Sequence, residues 1–258
     1  MRLMKRILSA AAVLALSASL LVGCSSGTAS SVPVSASSAA ESTVSSVEET
    51  ASSAVDENEA AAARLLNDLT GSYQELWPVI LADEYKQTWL DDCTALVGEE
   101  NAEAAFEKLS SMVTSDVYGE DAVEAYANGG GAYFCGFTNS LATLTFDGET
   151  STISGTDKDG NVLFSHTYHY IGMEPVHGLY EFESDDADSG EFTYFFLAPD
   201  TSAETYHIEF RYGSDAEALS QYDAGEYAYW VASGISTDCD QTMIDNCIEL
   251  FCTENLAG

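Results

Sequence analysis

Basic residues are scarce in this chain: 8 Lys and Arg stand against 43 Asp and Glu, giving a formal charge of −35 over 258 residues. So one-sided a balance excludes charge-driven binding to nucleic acid or to an anionic membrane surface, because both require clustered cationic side chains. The sequence contains no Cys-x-x-Cys, which excludes a thiolate zinc knuckle. From residue 59 onward it also contains no Gly-x-Ser-x-Gly, and none of its 4 histidines is paired with a recognisable nucleophile, so the chain reads as a binding protein and not as an enzyme. Beyond residue 22 no apolar run approaches the roughly 18 residues of a membrane-spanning helix.

What is present divides the chain into three. Residues 1–23 begin with Arg2, Lys5 and Arg6, continue through an apolar run from Ile7 to Val22, and end in Leu21-Val22-Gly23 before Cys24. This is the pattern of a secretory signal, and its end resembles a bacterial lipobox, which predicts cleavage before Cys24 and a diacylglycerol on the Cys24 sulfur. The expected location is therefore extracytoplasmic, held to the cell membrane through the lipid anchor alone. Residues 24–58 are mostly Ser, Ala, Thr, Val and Glu without an aromatic, a composition that buries too little apolar surface to offset its ordering entropy and so predicts a disordered tether. Residues 59–258 carry the folded part. Losing the signal removes three cations and no acids, so the head is more negative still; such a charge serves solubility in a salty medium and cation gathering equally well. Lipidation of Cys24 would leave five cysteines, an odd number. Cys247 and Cys252 are five residues apart on one predicted helix, about 7.5 Å of rise, which is too far for a disulfide between them.

Within the folded part, Glu57 to Trp89 reads as helical with a bend at Gly71 and Pro78, followed by helices near Ala102–Met112 and Asp121–Asn128. After the Gly129-Gly130-Gly131 loop the pattern turns to β. Short aromatic or β-branched runs occupy 133–137, 141–146, 150–156, 161–170, 178–183, 191–198 and 206–212, separated by Gly, Asp, Asn and Pro. The predicted fold is mainly β: an antiparallel meander closed into a barrel, with N-terminal helices and a C-terminal helix. Asp157 to Asn161 has oxygen donors at alternate positions, but its glycine and the residue at the twelfth place, Tyr168, do not fit a calcium loop, so Asp159-Gly160 predicts a hairpin turn. The last helix begins at Thr237 in a capping-box arrangement with Asp240 and carries an apolar stripe of Met243, Ile244, Cys247, Ile248 and Phe251.

The candidate site lies in the run from Tyr206 to Tyr212. Alternation places Tyr206, Ile208, Phe210 and Tyr212 on one side of a strand and Thr205, His207, Glu209 and Arg211 on the other. An imidazole and a carboxylate at i and i+2 face the same way, and both are competent metal ligands. Of the other histidines, His166 and His169 fall on opposite faces of one strand, so at most one could join them; His177 is the third.

The chain from about Leu66 to its end resembles the ZinT domain, a lipocalin-like zinc-binding barrel. LNDLTGSYQELWPVIL is similar to the opening L-x-D-W-x-G-x-W-x-S-x-Y-P-L-L of that family, and FTYFFLAP, residues 192–199, to F-S-D-H-x-I-A-P. HIEFRYGSD, residues 207–215, is similar to H-F-H-I-F-M-G-N-D, and the Tyr227-Ala228-Tyr229-Trp230 region falls where the family has N-W-P-T-Y-Y-P. The resemblance implies a lipocalin or calycin-like barrel, zinc as the bound ion and a zinc ABC importer as partner, with the ligands meeting at the barrel mouth. Two departures follow from the residues. Phe195 stands at the first histidine position of the family and cannot coordinate, and the histidine-rich loop is absent. The H-x-H pair maps onto His207 and Glu209 without a gap, or onto Thr205 and His207 with one; the gap-free register keeps two ligands. The expected metal ligands are thus His207 and Glu209. The alternative is a metal-free small-ligand or structural module in which Glu209 pairs with Arg211.

Overall fold

The computed structural model describes residues 57–199 and 207–257. The signal segment and Cys24 lie outside the described residues, as do all but the last two residues of the tether and Thr205 of the gapped register. A first helix, α1, covers 57–68. The predicted continuation of that helix does not form: Gly71, at φ +149°, turns the chain into a strand, β1, over Gly71–Glu75. This corrects the helical reading of Glu57 to Trp89, and it matters because β1 closes the barrel.

Helices α2 (Leu76–Ile80), α3 (Lys86–Val97), α4 (Glu99–Ser111) and α5 (Glu120–Ala127) follow, with a single 3-10 turn at Asp83–Tyr85 between the first two. Seven strands then run in order: β2 (Thr143–Asp147), β3 (Thr152–Thr156), β4 (Val162–Met173), β5 (Tyr180–Ser184), β6 (Tyr194–Leu197), β7 (His207–Gly213) and β8 (Ala232–Ser236). A short helix, α6 (Ala216–Leu219), follows β7, and α7 (Gln241–Leu256) ends the described chain. Each strand pairs antiparallel with the next, and β1 pairs with both β2 and β8, so the eight strands form the expected closed antiparallel barrel.

Two runs differ from their reading. Residues 133–137 are not a strand; Phe134 makes only isolated bridges to Thr114 and Trp230. The first part of 191–198 is a 3-10 turn, Gly190–Phe192, before β6 begins. The Asp157–Asn161 segment is the hairpin turn expected: the Asp157 carboxylate accepts from the backbone N–H groups of Asp159 and Asn161 at 2.9 and 2.8 Å, and β3 pairs with β4 on either side. The last helix is capped by Asp240, which accepts from Met243 N at 2.9 Å, and not by Thr237.

The barrel interior is filled by side chains. Leu144, Phe146, Ile153, Phe164, Tyr168, Phe182, Phe195, Ile208, Phe210 and Tyr212 are all buried in one cluster with Ala62, Leu65, Leu66 and Leu69 of α1. Rings stack through it, Phe164 on Phe192 at 3.9 Å and Phe195 on Tyr212 at 5.4 Å between centroids. Gly155 sits opposite Phe164 because a Cβ there would meet that ring at 2.4 Å. A second buried cluster lies outside the wall, where Leu76, Trp77, Ile80, Trp89, Cys93, Ile244, Cys247, Ile248 and Cys252 of α2, α3 and α7 pack against Ile235 of β8.

Candidate functional site

Strand β7 separates those two clusters, and alternation decides what each receives. Ile208, Phe210 and Tyr212 belong to the interior. His207, Glu209 and Arg211 face outward: His207 is paired with Ile235, and Glu209 with Ser233, on the side the helices cover. The sequence placed the two ligands at a barrel mouth; the structure places them on the outer wall beneath α2 and α7. The reason is apolar burial, since the aromatic side of this strand takes the core and leaves its polar side to the layer outside. Phe195, by contrast, points inward. The three positions the resemblance implies therefore lie on two faces of the wall and do not converge.

His207 Nε2 lies 3.9 Å from Glu209 Oε1. His207 is 8% exposed. Both line a crevice with Leu76, Trp77 and Ile80 of α2 and with Cys247, Leu250, Phe251 and Glu254 of α7. Its free space is about 10 Å³, close to the volume one water-sized sphere occupies. A space of that size is too small for an organic ligand. Among the described residues no three His, Cys, Asp or Glu side chains converge closely enough to hold a metal ion as they stand. Glu254 was missed by sequence reasoning, although its position carried a signal: it lies seven residues after Cys247 and three after Phe251, in line with the apolar stripe of α7.

The remaining histidines do not reach this crevice. His166 Nδ1 lies 2.9 Å from Asp186 and His169 Nδ1 lies 2.7 Å from Asp185. His177 is held near Glu174, 3.5 Å away, with its ring 3.7 Å from that of Tyr222. Glu174 is fully buried and accepts from the backbone N–H groups of Val176 and His177 at 2.8 and 2.6 Å. Burial works to raise its carboxyl, but the adjacent His177 imidazole and the hydrogen bonds from these two backbone groups outweigh that and hold it below the ordinary carboxylate range.

Arg211, next along the outer face, is also fully buried. Its guanidinium donates to the carbonyls of Leu219, Gln221 and Tyr227 and lies 4.1 Å from the centre of the Tyr222 ring. Burial lowers its pKa. Among the described residues it makes no ion pair within 4 Å, so the Glu209–Arg211 pairing of the alternative reading is not formed; Arg211 instead ties the segment after β7 to the wall. A wider cleft of about 290 Å³ lies on the other side of Trp77, lined by Glu75, Pro78, Leu81, Phe134 and Cys135 among others. Its one carboxylate, Glu75, accepts from Phe137 N at 2.6 Å, and Thr114 and Ser115 also line the cleft.

No protein-family model matches the chain, and no curated protein does. Among solved structures, the Zn(II)-bound ZinT-like domain of Streptococcus pneumoniae AdcA is similar at 16% identity, over 71% of this chain and 89% of that one, with a TM-score of 0.45. Zn(II)-bound AdcA from Streptococcus pneumoniae is similar at 15% identity, over 72% of this chain and 35% of that one, with a TM-score of 0.42. Neither likeness assigns a role to any residue of this chain.

Proposed function

We propose that this chain is an extracytoplasmic carrier, anchored through a lipid on Cys24, whose cargo is one divalent cation, zinc before others, taken at the crevice between β7 and α7. The observation that carries the reading is the approach of the His207 imidazole to the Glu209 carboxylate, 3.9 Å apart over an ion-sized space. Two donors held at about 2.1 Å from a tetrahedral zinc are separated by roughly 3.4 Å. A shift of about half an ångström therefore brings these two to coordinating distance. Glu254, lining the same crevice from α7, supplies a third donor of suitable chemistry. The ion does the gathering: α7 approaches β7 when it binds, and three protein ligands leave one position open for exchange. An open position suits a cargo that is handed on, and a zinc ABC importer is the receiver this reading assigns. The acid-rich surface concentrates cations around the head. Binding and transfer account for His207, Glu209 and Glu254, with no catalytic step.

A metal-free module is the competing reading, and one observation favours it: the three donors are not gathered in the structure as it stands. Calorimetric titration of the full chain with zinc separates the two. The expected result is one site per chain that weakens by 10-fold or more in His207→Ala and in Glu254→Gln. Equal affinity and stoichiometry in wild type and His207→Ala sinks the assigned crevice, and no heat from the wild type sinks the cargo.

A further inference from the structure

We propose that Cys93 and Cys252 form a disulfide in the exported protein, a covalent clamp joining α3 to α7. The two sulfurs lie 3.9 Å apart, and both residues are fully buried in the helical layer outside the barrel. An S–S bond is about 2.05 Å long, so side-chain rotation and a small approach of the helices must close roughly 2 Å. The helices are already aligned for it. Trp89 of α3 meets Phe251 of α7 at 5.8 Å between ring centres, and Thr88 reaches Asp245 at 3.5 Å. Among the described residues no other pair of thiols comes within hydrogen-bonding reach. Cys247 is one turn and more from Cys252 on the same helix, and Cys135 lies on the 133–137 segment beside Trp77.

The chemistry is thiol–disulfide exchange with an external disulfide, either a thiol-oxidising protein or a low-molecular-weight disulfide. A Cys thiolate attacks the oxidant's disulfide, breaking its S–S bond, releasing one oxidant thiolate and leaving a mixed disulfide; the second Cys thiolate then attacks the Cys sulfur of that mixed disulfide and expels the other oxidant thiolate. Two S–H bonds break and one S–S bond forms between the cysteines. The two electrons and two protons leave with the oxidant, which becomes two thiols. Closure must occur while the chain folds, because burial pushes both thiols up and shields them afterwards. The bond closes a loop between positions 159 residues apart, and so restricts the unfolded chain strongly. It needs an oxidant and no zinc, so failure of the metal reading leaves it intact.

The test uses the full chain secreted from a bacterial host and harvested without reductant. It is unfolded in the presence of N-ethylmaleimide, digested and mapped by mass spectrometry. The expected result is a peptide pair containing Cys93 and Cys252, lighter than the two free peptides by two hydrogens and separated by reductant. Reduction should lower the melting temperature by roughly 5–15 °C, and a Cys93→Ala/Cys252→Ala chain should melt at one temperature with or without reductant. Maleimide on both cysteines of secreted protein that has also been refolded with oxidised glutathione overturns the proposal, as does a bridge from either one to Cys135, Cys239 or Cys247. The mapping is done on the wild type, so it stands even where the double variant fails to fold.

Discussion

The inner and outer faces of β7 are built from alternate residues of one strand, yet they obey different rules. Ile208, Phe210 and Tyr212 fill a closed interior among other rings, where any loss of volume is felt throughout. His207, Glu209 and Arg211 lie under a layer of helices and loop outside the barrel. The inner face is packed with apolar rings, and the outer face holds the polar groups, of which Arg211 ties the following segment to the wall. In a barrel whose interior is full, binding has to be sought outside the wall.

Substitutions can break this comparison. The largest effect is expected from Phe210→Ala, which empties a site fully buried between Phe137 and Phe195, with ring centres at 5.3 and 6.4 Å. A loss of about 3–5 kcal/mol in urea unfolding is expected; a loss as small as that of an exposed residue would mean that the interior is not the core. Arg211→Met comes next, at about 2–4 kcal/mol, because three carbonyls lose their donor while the apolar stem is retained. Its urea midpoint should fall with zinc affinity unchanged, which separates Arg211 from its neighbours on the same face. Glu174→Gln is expected to cost about 1–3 kcal/mol, read by the same unfolding curve. It carries a pH signature as well. The Glu174 carboxyl is lower in the folded chain than in the unfolded one, so its contribution is complete above the unfolded value and is lost as pH falls through the folded value. The variant should therefore lose less stability than wild type between about pH 5 and pH 3. His207→Ala sharpens the comparison from the other side. Stability should fall by about 1 kcal/mol, well short of Phe210→Ala, while zinc binding weakens, and a collapse of the fold instead would place His207 with the core.

The barrel was legible because most of its strands alternate aromatic and polar residues, β7 above all. Its two closing strands were not. β1, Gly-Ser-Tyr-Gln-Glu, is half-buried throughout and follows a helix-forming run, so nothing in its composition sets it apart. β8, Ala-Ser-Gly-Ile-Ser, is made of small residues, and tertiary packing selects them: a side chain on Gly234 would meet Ile208 Cγ1 at 2.9 Å. The 133–137 run shows the opposite error. Its aromatics do not pair along a ladder; Tyr133 and Cys135 join the outer cluster while Phe137 enters the interior. The pairing of His207 with Glu209 could be read from spacing alone, but which side of the wall they occupy depends on how the whole sheet closes. Glu254, contributed from a helix far along the chain, needed the fold before it could be placed.

The β1–β8 seam brings Tyr73 opposite Ser236, so the first strand waits for the last. A chain cut anywhere between them would keep two raw edges, each with a row of unanswered amide and carbonyl groups ready to recruit other copies. Completing the cylinder hides those rows from every neighbour at once, and only a nearly whole polypeptide can do so. Its assembly should be slow and all-or-none, with little sheet persisting in any fragment.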